Sequence, residues 1–362
     1  MVAPPVRYSP DVEQAEPDEA ETSVALRETL HDILQTTSTD YGHAVRSVHA
    51  KGHALIDATL IVADDLPADY AQGLFAKPGR YPAILRISTT PGDILDDSIS
   101  APRGLALKVI GVEGARLPGG EGDTTQDFVM ANGPAFAAPD AKHFLGNLKL
   151  LAKTTDRAEW AKKILSAALR ATEATLEAFG GESAAIKSLG GAPNVHPLGE
   201  TYFSQTPYRY GDFIAKFQVA PVSVNLTRLT GEKIAAAGRP DALREDVMRD
   251  LAQGGAWEVR IQLNRDLAKM PIENAATLWD EADSPFVTVA RIEAGAQKAW
   301  QGADSVKRED ALAFSPWHGL AAHQPLGSIN RVRQPAYQMS ADFRGTANGC
   351  PIHEPRAAVV AD

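Results

Sequence analysis

The chain is organised around the segment NRVRQPAYQMSADFR at residues 330–344. Arg333 precedes Tyr337 by four residues, so a helix here presents their guanidinium and phenol groups on one face. A free tyrosine ionises near pH ~10, but a neighbouring guanidinium and a ferric ion both favour the phenolate. Tyrosinate is one of the protein ligands that hold haem iron, which makes Tyr337 a candidate metal ligand. The alternative is an ordinary surface pair of an arginine and a tyrosine.

A proline lies inside this segment, at Pro335. Helices tolerate proline in their first turn, where its missing N–H group has no intrahelical partner to lose. The sequence therefore predicts a helix that begins near Arg333, with Tyr337 close to its start and Arg344 about two turns further along.

Composition limits the class of protein. The chain has 362 residues, 44% of them apolar, which is enough for a large core in one or two domains. A net charge of -10 argues against a nucleic-acid binder and against a polybasic membrane module. A single cysteine, Cys350, excludes an internal disulfide framework and cysteine-rich metal sites. No stretch approaches the length of a membrane span, and no Sec-type signal precedes the chain, so we expect a cytoplasmic protein.

Apolar spacing predicts a mixture of helices and strands. Helical spacing occurs at residues 24–35, 140–153, 156–179 and 240–253, and β-rich stretches occur at 55–62, 81–89, 101–109, 202–211, 214–219, 257–263 and 286–292. The strand at 81–89 carries Arg86 among apolar residues. A buried arginine requires an anionic partner, which is either a carboxylate in a structural salt bridge or a cofactor propionate.

The sequence VHAKG at residues 48–52 resembles the segment that carries the distal histidine of catalases. This resemblance implies that His49 is the catalytic acid–base and that Arg46 contacts a haem propionate. The pattern Arg-x-Ser-Thr that begins at Arg86 is similar to the same family, and it implies a propionate contact for Arg86 and a hydrogen bond from Ser88 to the distal histidine. Without the resemblance, a histidine at a strand edge is more often a structural residue.

The sequence PRGLALK at residues 102–108 also resembles a catalase strand, but Ala101 stands where catalases generally carry an aspartate in the peroxide channel. The following Asn-Gly-Pro turn resembles a catalase loop with an asparagine in the distal pocket. Ungapped alignment places Ala131 at that position, and Asn132 is the nearest amide, so we predict that Asn132 orients the peroxide. Phe144 is predicted to stack near the haem, with ordinary core packing as the alternative.

Two further segments, YFSQTPYR at 202–209 and FSPWH at 314–318, are similar to the short haem peroxidases that are related to catalases. The resemblance continues to the Arg-x-x-x-Tyr pair. It implies that Tyr337 is the iron ligand, that Arg333 tunes the charge of this ligand, and that Arg344 contacts a propionate.

The fold implied by this resemblance is α+β, the antiparallel β-barrel of the catalase core with helical insertions and one haem b. Residues 23–346 are predicted to form this catalase-like haem domain. The acidic, proline-rich residues 1–22 predict a disordered arm, and residues 347–362 a C-terminal tail. The C-terminal helical domain of large catalases is not expected.

The implied function is a haem-dependent peroxidase that reduces hydrogen peroxide or organic peroxides through an oxoferryl haem, with an organic electron donor and weak catalase activity. The substitution at Ala101 favours this function over full catalase activity. One alternative is conversion of fatty-acid hydroperoxides, as in catalase-like allene oxide synthases, which tend to carry threonine where Val48 stands. The other is a haem-binding protein without turnover. The sequence leaves open whether the chain forms a homo-oligomer.

Overall fold

The fold is built around one antiparallel sheet. The structure, a computed structural model, describes residues 3–152 and 194–356. Within these residues the strands are β1 (Lys51–Val62), β2 (Gly79–Thr89), β3 (Arg103–Ile110), β4 (Thr125–Ala131), β5 (Tyr202–Phe203), β6 (Tyr208–Tyr210), β7 (Phe213–Pro221), β8 (Gly255–Leu263) and β9 (Val287–Ala294). Their order is β5-β4-β3-β2-β1-β9-β8-β7-β6, with an additional pairing between β5 and β7. Because β5 pairs with both β4 and β7, eight strands close into a barrel, while β6 continues along the side of β7. The predicted antiparallel barrel is confirmed.

Helices are inserted between and after the strands. In the described residues they are α1 (Glu19–Tyr41), α2 (Ala141–Ala152), α3 (Val224–Thr227), α4 (Ala242–Leu251), α5 (Ala303–Asp310) and α6 (Ser328–Ala347). The structure confirms the helices predicted at 24–35, 140–153 and 240–253. The helix predicted at 156–179 lies outside the described residues. None of the described helices has both the length and the apolar character needed to cross a membrane.

The side chains of β2 alternate between the barrel core and the outer face of the barrel. Leu85 and Ile87 point into the barrel, where they belong to its main apolar cluster. Arg86 and Ser88 lie on the opposite face, because successive side chains of a strand alternate. The barrel interior is therefore filled with side chains, and the polar residues of this strand face outward, towards α6.

A layer of helices covers that outer face. Apolar side chains of α1, α2 and α6 form a second buried cluster, which includes Leu30, Leu148, Val332 and Ala336. Burial of such side chains is worth about 1.5–3 kcal/mol each. This packing fixes α6 beside the barrel wall, so the Arg333 and Tyr337 segment has a defined position.

The predicted start of α6 was wrong. The helix begins at Ser328 rather than near Arg333, and Pro335 is in its interior. An interior proline removes one backbone hydrogen bond and costs about 3 kcal/mol. Contacts from outside the helix hold the early turn: the Ser328 N–H donates to Glu273 at 2.8 Å, and the buried Asn330 side chain donates to the Pro207 carbonyl at 3.1 Å.

The acidic arm also differs from its prediction. Composition predicts disorder over residues 1–22, but in the structure the first part of residues 3–22 contacts the barrel, where the Val6 N–H donates to the Asn264 carbonyl at 2.8 Å. The later part lies against the start of α6, and α1 begins within this range. Arg331 Nη1 lies 2.7 Å from Glu13, and Arg331 Nε lies 2.7 Å from Glu19. Glu273 is a third partner of this guanidinium, at 2.9 Å. Acidic residues that disfavour folding in isolation are stabilised here by a partly buried arginine.

The C-terminal tail returns to the barrel through a buried charge network. Lys108 on β3 is fully buried and lies 2.8 Å from Asp127 and 2.5 Å from Glu354. His318 Nδ1 lies 3.1 Å from Glu354. Burial alone lowers the pKa of His318, but its bonds to Asp127 and Glu354 outweigh burial and raise the pKa to about 9. The imidazolium is therefore part of the folded structure at neutral pH.

This network predicts a loss of stability at alkaline pH. The pKa of His318 is raised in the folded state from 6.5 to about 9, so its contribution is complete below pH 6.5 and disappears as pH rises through about 9. We expect His318→Gln to lose about 1–3 kcal/mol of stability at pH 6 and to show a flatter stability profile between these pH values. Chemical denaturation at several pH values measures this. His143→Gln, at a surface histidine paired with Asp140, serves as the control and should keep the parental slope.

Candidate active site

A cavity lies between the outer wall of the barrel and α6. It brings together residues that are far apart in the sequence, from the α1–β1 connection, from β2 to β4 and from α6. Its polar and charged lining consists of Arg46, Ser47, His49, Arg86, Ser88, Tyr337, Ser340 and Arg344. Of the nine predicted site residues, the structure places six here, namely Arg46, His49, Arg86, Ser88, Tyr337 and Arg344.

His49 is held in an uncommon backbone conformation. Its φ of 53° lies in the left-handed region, which costs a residue other than glycine about 1–3 kcal/mol. Arg86 Nη2 donates to the His49 carbonyl at 2.9 Å, which stabilises this conformation. The imidazole also packs against Gly104, where a Cβ atom would lie only 2.7 Å from the ring. A glycine is therefore required opposite this histidine.

The electrostatic surroundings keep His49 neutral. Burial is the main cause, and the charges of Arg86 and Arg333 add to it, so the pKa of His49 falls to about 3. Ser88 Oγ lies 3.3 Å from Nδ1 of the ring. With Nδ1 bonded to this hydroxyl, Nε2 is the nitrogen that remains free to exchange a proton. The sequence-based pairing of Ser88 with His49 agrees with this geometry.

Tyr337 faces the cavity from α6. The Arg333 guanidinium lies 5.7 Å from the centre of the Tyr337 ring and 6.0 Å from that of Phe136. Its Nη1 also donates to the Asn330 side chain at 3.3 Å. Arg333 and Tyr337 therefore share one helix face, as the four-residue spacing predicts.

The three predicted propionate contacts converge, but one carboxylate of the protein lies among them. Arg86 forms an ion pair through Nε with Glu309, the penultimate residue of α5, and Arg46 Nη1 lies 3.4 Å from the same carboxylate. Arg344 Nη2 donates to the Leu312 carbonyl at 3.2 Å. In this structure Arg86 therefore pairs with a carboxylate of the protein in a salt bridge. This is one of the two partners that the sequence left open, the other being a propionate.

This cluster is short of negative charge. Burial and the charges of neighbouring arginines lower the pKa of Arg46, and they lower that of Arg344 to about 10. Guanidinium groups nevertheless stay protonated in proteins, so a cluster of this kind requires anions instead. Nε and Nη1 of Arg344 are buried and have no hydrogen-bond partner among the described residues. These two orphaned donors fit the carboxylates of a haem, and the phenol of Tyr337 fits its iron.

Asn132 does not face the cavity, and the prediction that it orients peroxide disagrees with the geometry. Its amide oxygen accepts from the Arg103 N–H at 3.0 Å, and its amide nitrogen donates to Glu200 at 2.8 Å. Both ends of the side chain are committed to this ion-paired region beside the barrel. The loop adjustment needed to bring the amide to His49 does not occur.

Phe144 lies beside the cavity rather than in its lining. It packs at the edge of the helical cluster that contains Val332 and Ala336, and its ring contacts Phe136 at a centroid distance of 5.1 Å. Phe144 therefore packs against the helical cluster to which Ala336, a residue of the cavity lining, belongs.

Two other histidines close to the proximal segment are committed elsewhere. His318 belongs to the charge network with Glu354. His323 is fully buried, and its Nε2 accepts from the Leu74 N–H at 3.0 Å. Neither histidine lines the cavity, whereas Tyr337 does. Tyr337 is therefore the candidate metal ligand that α6 contributes.

Sequence reasoning missed Glu309. The helix α5 that carries it reads ADSVKRED, a charged stretch without apolar periodicity, and no helix was predicted for it. Its partners, Arg46 and Arg86, lie more than 200 residues earlier in the chain. No local pattern indicates such a contact.

Comparison with solved structures identifies the fold. No family model matches the chain, and no curated protein matches its sequence. Among solved structures, a fungal catalase has a TM-score of 0.59 at 17% identity, over 86% of this chain. Catalase A from Saccharomyces cerevisiae has a TM-score of 0.58 at 20% identity over 86%, and a bacterial catalase 0.59 at 16% over 91%. The chain spans 62% of the length of each of these proteins. The chain therefore has the catalase fold.

Proposed function

We propose that this chain is a haem-dependent peroxidase, which uses hydrogen peroxide or an organic hydroperoxide to oxidise an organic donor. The observation that carries the proposal is a cavity that joins a tyrosine beside an arginine, a neutral histidine and three arginines, of which Arg344 has two buried donors without a partner among the described residues. The structural similarity to catalases supports an oxidoreductase that acts on peroxide.

The tyrosine and the arginines of the cavity are the residues that would hold the cofactor. When bound, haem supplies the reduction of the peroxide O–O bond and retains the oxidising equivalents until a donor removes them. Tyr337 would ligate its iron through the phenol oxygen. Arg344 would bind a propionate through its two donors that have no partner among the described residues, and Arg46 lies on the same cavity wall.

His49 moves the proton. A base must be unprotonated to accept a proton, and the low pKa of His49 provides that state over the whole neutral range. Nε2 accepts the proton from the peroxide O–H group. It then returns the proton to the outer oxygen, which leaves as water or as an alcohol. Ser88 holds Nδ1 through both steps, so the ring keeps one orientation.

The residues around His49 favour a peroxidase over an efficient catalase. Neither an amide nor a carboxylate side chain lines the cavity beside it, in the part of the chain that the structure describes. Asn132 is committed to Arg103 and Glu200, and Ala101 stands where catalases generally carry the channel aspartate, a charge that guides a small polar substrate. A second molecule of hydrogen peroxide is thus poorly oriented, whereas an organic donor need not enter the same position.

Reconstitution with haemin tests this proposal. The loaded protein is expected to oxidise an organic dye with hydrogen peroxide faster than it releases oxygen from peroxide alone. Rapid oxygen release with slow dye oxidation would identify a catalase. Turnover restricted to fatty-acid hydroperoxides would identify an enzyme of the allene oxide synthase type, and tight haem binding without turnover a binding protein.

The depressed pKa of His49 predicts an unusual pH profile. Because the pKa is lowered from 6.5 to about 3, the imidazole stays unprotonated, and active as a base, until the pH falls towards that value. We expect the second-order rate of peroxide cleavage to be flat from pH 5 to 8. Stopped-flow spectroscopy measures this rate. A titration step near pH 6.5 that disappears in His49→Gln would contradict this account of the site.

A further inference from the structure

Arg86 has two partners that tie it to the protein. Its Nε donates to the Glu309 carboxylate, and its Nη2 donates to the His49 carbonyl at 2.9 Å. One guanidinium therefore connects α5 with the left-handed backbone of the distal histidine. The planar fork of an arginine makes such a double contact rigid, because both donors are fixed in one plane.

The carboxylate of Glu309 is buried and held by close contacts. Glu309 is buried, with 8% of its surface exposed. It lies so close to Gly52 that a Cβ atom there would be 2.4 Å from Oε1, and Arg46 Nη1 lies on another side at 3.4 Å. Burial alone raises the pKa of Glu309, but the charges of Arg86 and Arg46 outweigh it and hold the pKa below its usual range. The group is an anion in its resting position.

Charge balance indicates that Glu309 remains there when cofactor is bound. One haem brings two propionates, and with Glu309 these give three negative charges for the three guanidiniums of Arg46, Arg86 and Arg344, while the nearby Asp310 pairs with His43. Arg344 has two donors without a partner among the described residues, whereas Arg46 lies 3.4 Å from Glu309 through Nη1 and donates through Nη2 to the Leu312 carbonyl at 2.9 Å. Arg86 instead has its donors directed to Glu309 and to the backbone of His49.

We infer that Glu309 is a positioning residue for the distal histidine: it holds Arg86 against the His49 carbonyl and leaves the free donors of Arg344 to bind a propionate. This role rests on the proposed haem function. If Glu309 loses its charge, Arg86 is free to turn towards a propionate, and the left-handed backbone of His49 loses its hydrogen bond. Haem binding and proton transfer then change in opposite directions.

Glu309→Gln tests the inference, because it keeps the shape of the side chain and removes its charge. The variant is expected to bind haemin at least as tightly as the parent, since the cluster gains one uncompensated positive charge. Peroxide cleavage should slow roughly tenfold to a hundredfold, a part of the ~10²–10⁴ that a general acid–base supplies. Haemin titration of the apoprotein and stopped-flow kinetics of the loaded protein give the two readouts. A role in stability alone would weaken haemin binding together with the rate.

Asp310→Asn is the matched control. This neighbour on α5 also carries a negative charge near the cluster, but it pairs with His43 and not with Arg86. We expect its rate of peroxide cleavage to stay within about twofold of the parent. If Glu309→Gln behaves like this control, or loses haemin binding along with the rate, the positioning role is wrong while the proposed function stands. If the parent itself binds no haemin, the proposed function fails and the role with it.

Arg86→Lys serves as the second variant if Glu309→Gln does not fold. Lysine keeps the charge beside Glu309, but its single ammonium group lacks the fork that reaches the His49 carbonyl as well. The same separation is expected, with haemin retained and peroxide cleavage slowed at least tenfold. Unchanged cleavage in this variant overturns the inference.

Discussion

Replacing His49 with alanine is expected to slow peroxide cleavage by about 10²–10⁴-fold while haem stays bound. The expectation follows from the position of the imidazole on the cavity wall and from its neutral state. Among the described residues, removing it leaves no imidazole or carboxylate in the lining, where the remaining polar groups are hydroxyls and arginines. Haemin affinity should change little, because the iron ligand and the propionate contacts lie on other residues.

The rate is measured by stopped-flow mixing of the loaded protein with hydrogen peroxide. His43→Ala is the control, since this histidine pairs with Asp310 outside the cavity and should leave the rate unchanged. If His49→Ala cleaves peroxide as fast as the parent, His49 is a packing residue and another group moves the proton.

Replacing Tyr337 with phenylalanine is expected to abolish normal haem ligation. The substitution removes one oxygen atom and keeps the ring, so the packing of α6 should survive. Without the phenolate the iron loses its protein ligand, and haem should bind weakly or show a different spectrum. The neighbouring α6 side chains in the lining, such as Ser340 and Arg344, offer no replacement among usual iron ligands.

Absorbance spectra of the variant and the parent, each titrated with haemin, measure this effect. Tyr81→Phe is a suitable control, because this half-buried tyrosine of β2 does not line the cavity. A Tyr337→Phe protein whose spectrum matches that of the parent would show that another residue holds the iron.

Most residues of the site were predicted from the resemblance to catalases, and local spacing accounts for how two pairs of them lie on one face. The two-residue step from Arg86 to Ser88 places both on one face of a strand, and the four-residue step from Arg333 to Tyr337 places both on one face of a helix. The succession of apolar stretches predicted most strands of the barrel in nearly their observed bounds, but it did not predict β4. These features follow from the periodicity of strands and helices, which can be recognised from residues close in sequence.

Features that depend on tertiary contacts were not predictable in the same way. The early start of α6 relies on contacts of Ser328 and Asn330 with distant segments, which offset the cost of the interior proline. The ordering of the acidic arm relies on Arg331, more than 300 residues further along the chain. Composition and propensity describe an isolated segment, and both of these segments are stabilised by partners outside themselves.

The distal amide shows a different limit. Asn132 is one position away from the site in an ungapped alignment, and a loop adjustment of one residue is a reasonable hypothesis from sequence. In the structure Ala131 pairs with Gly104 at the end of β4, and Asn132 turns to Arg103 and Glu200. Because side chains alternate along a strand, a displacement of one residue reverses the direction of the side chain.

The central claim, that this cavity holds one haem through Tyr337, is tested most directly by the absorption spectrum of the protein during titration with haemin. The account predicts saturation at one haem per chain and a Soret band typical of high-spin ferric haem with a tyrosinate ligand. A folded protein that takes up no haemin, or that saturates with the spectrum of a histidine-ligated haem, would contradict it.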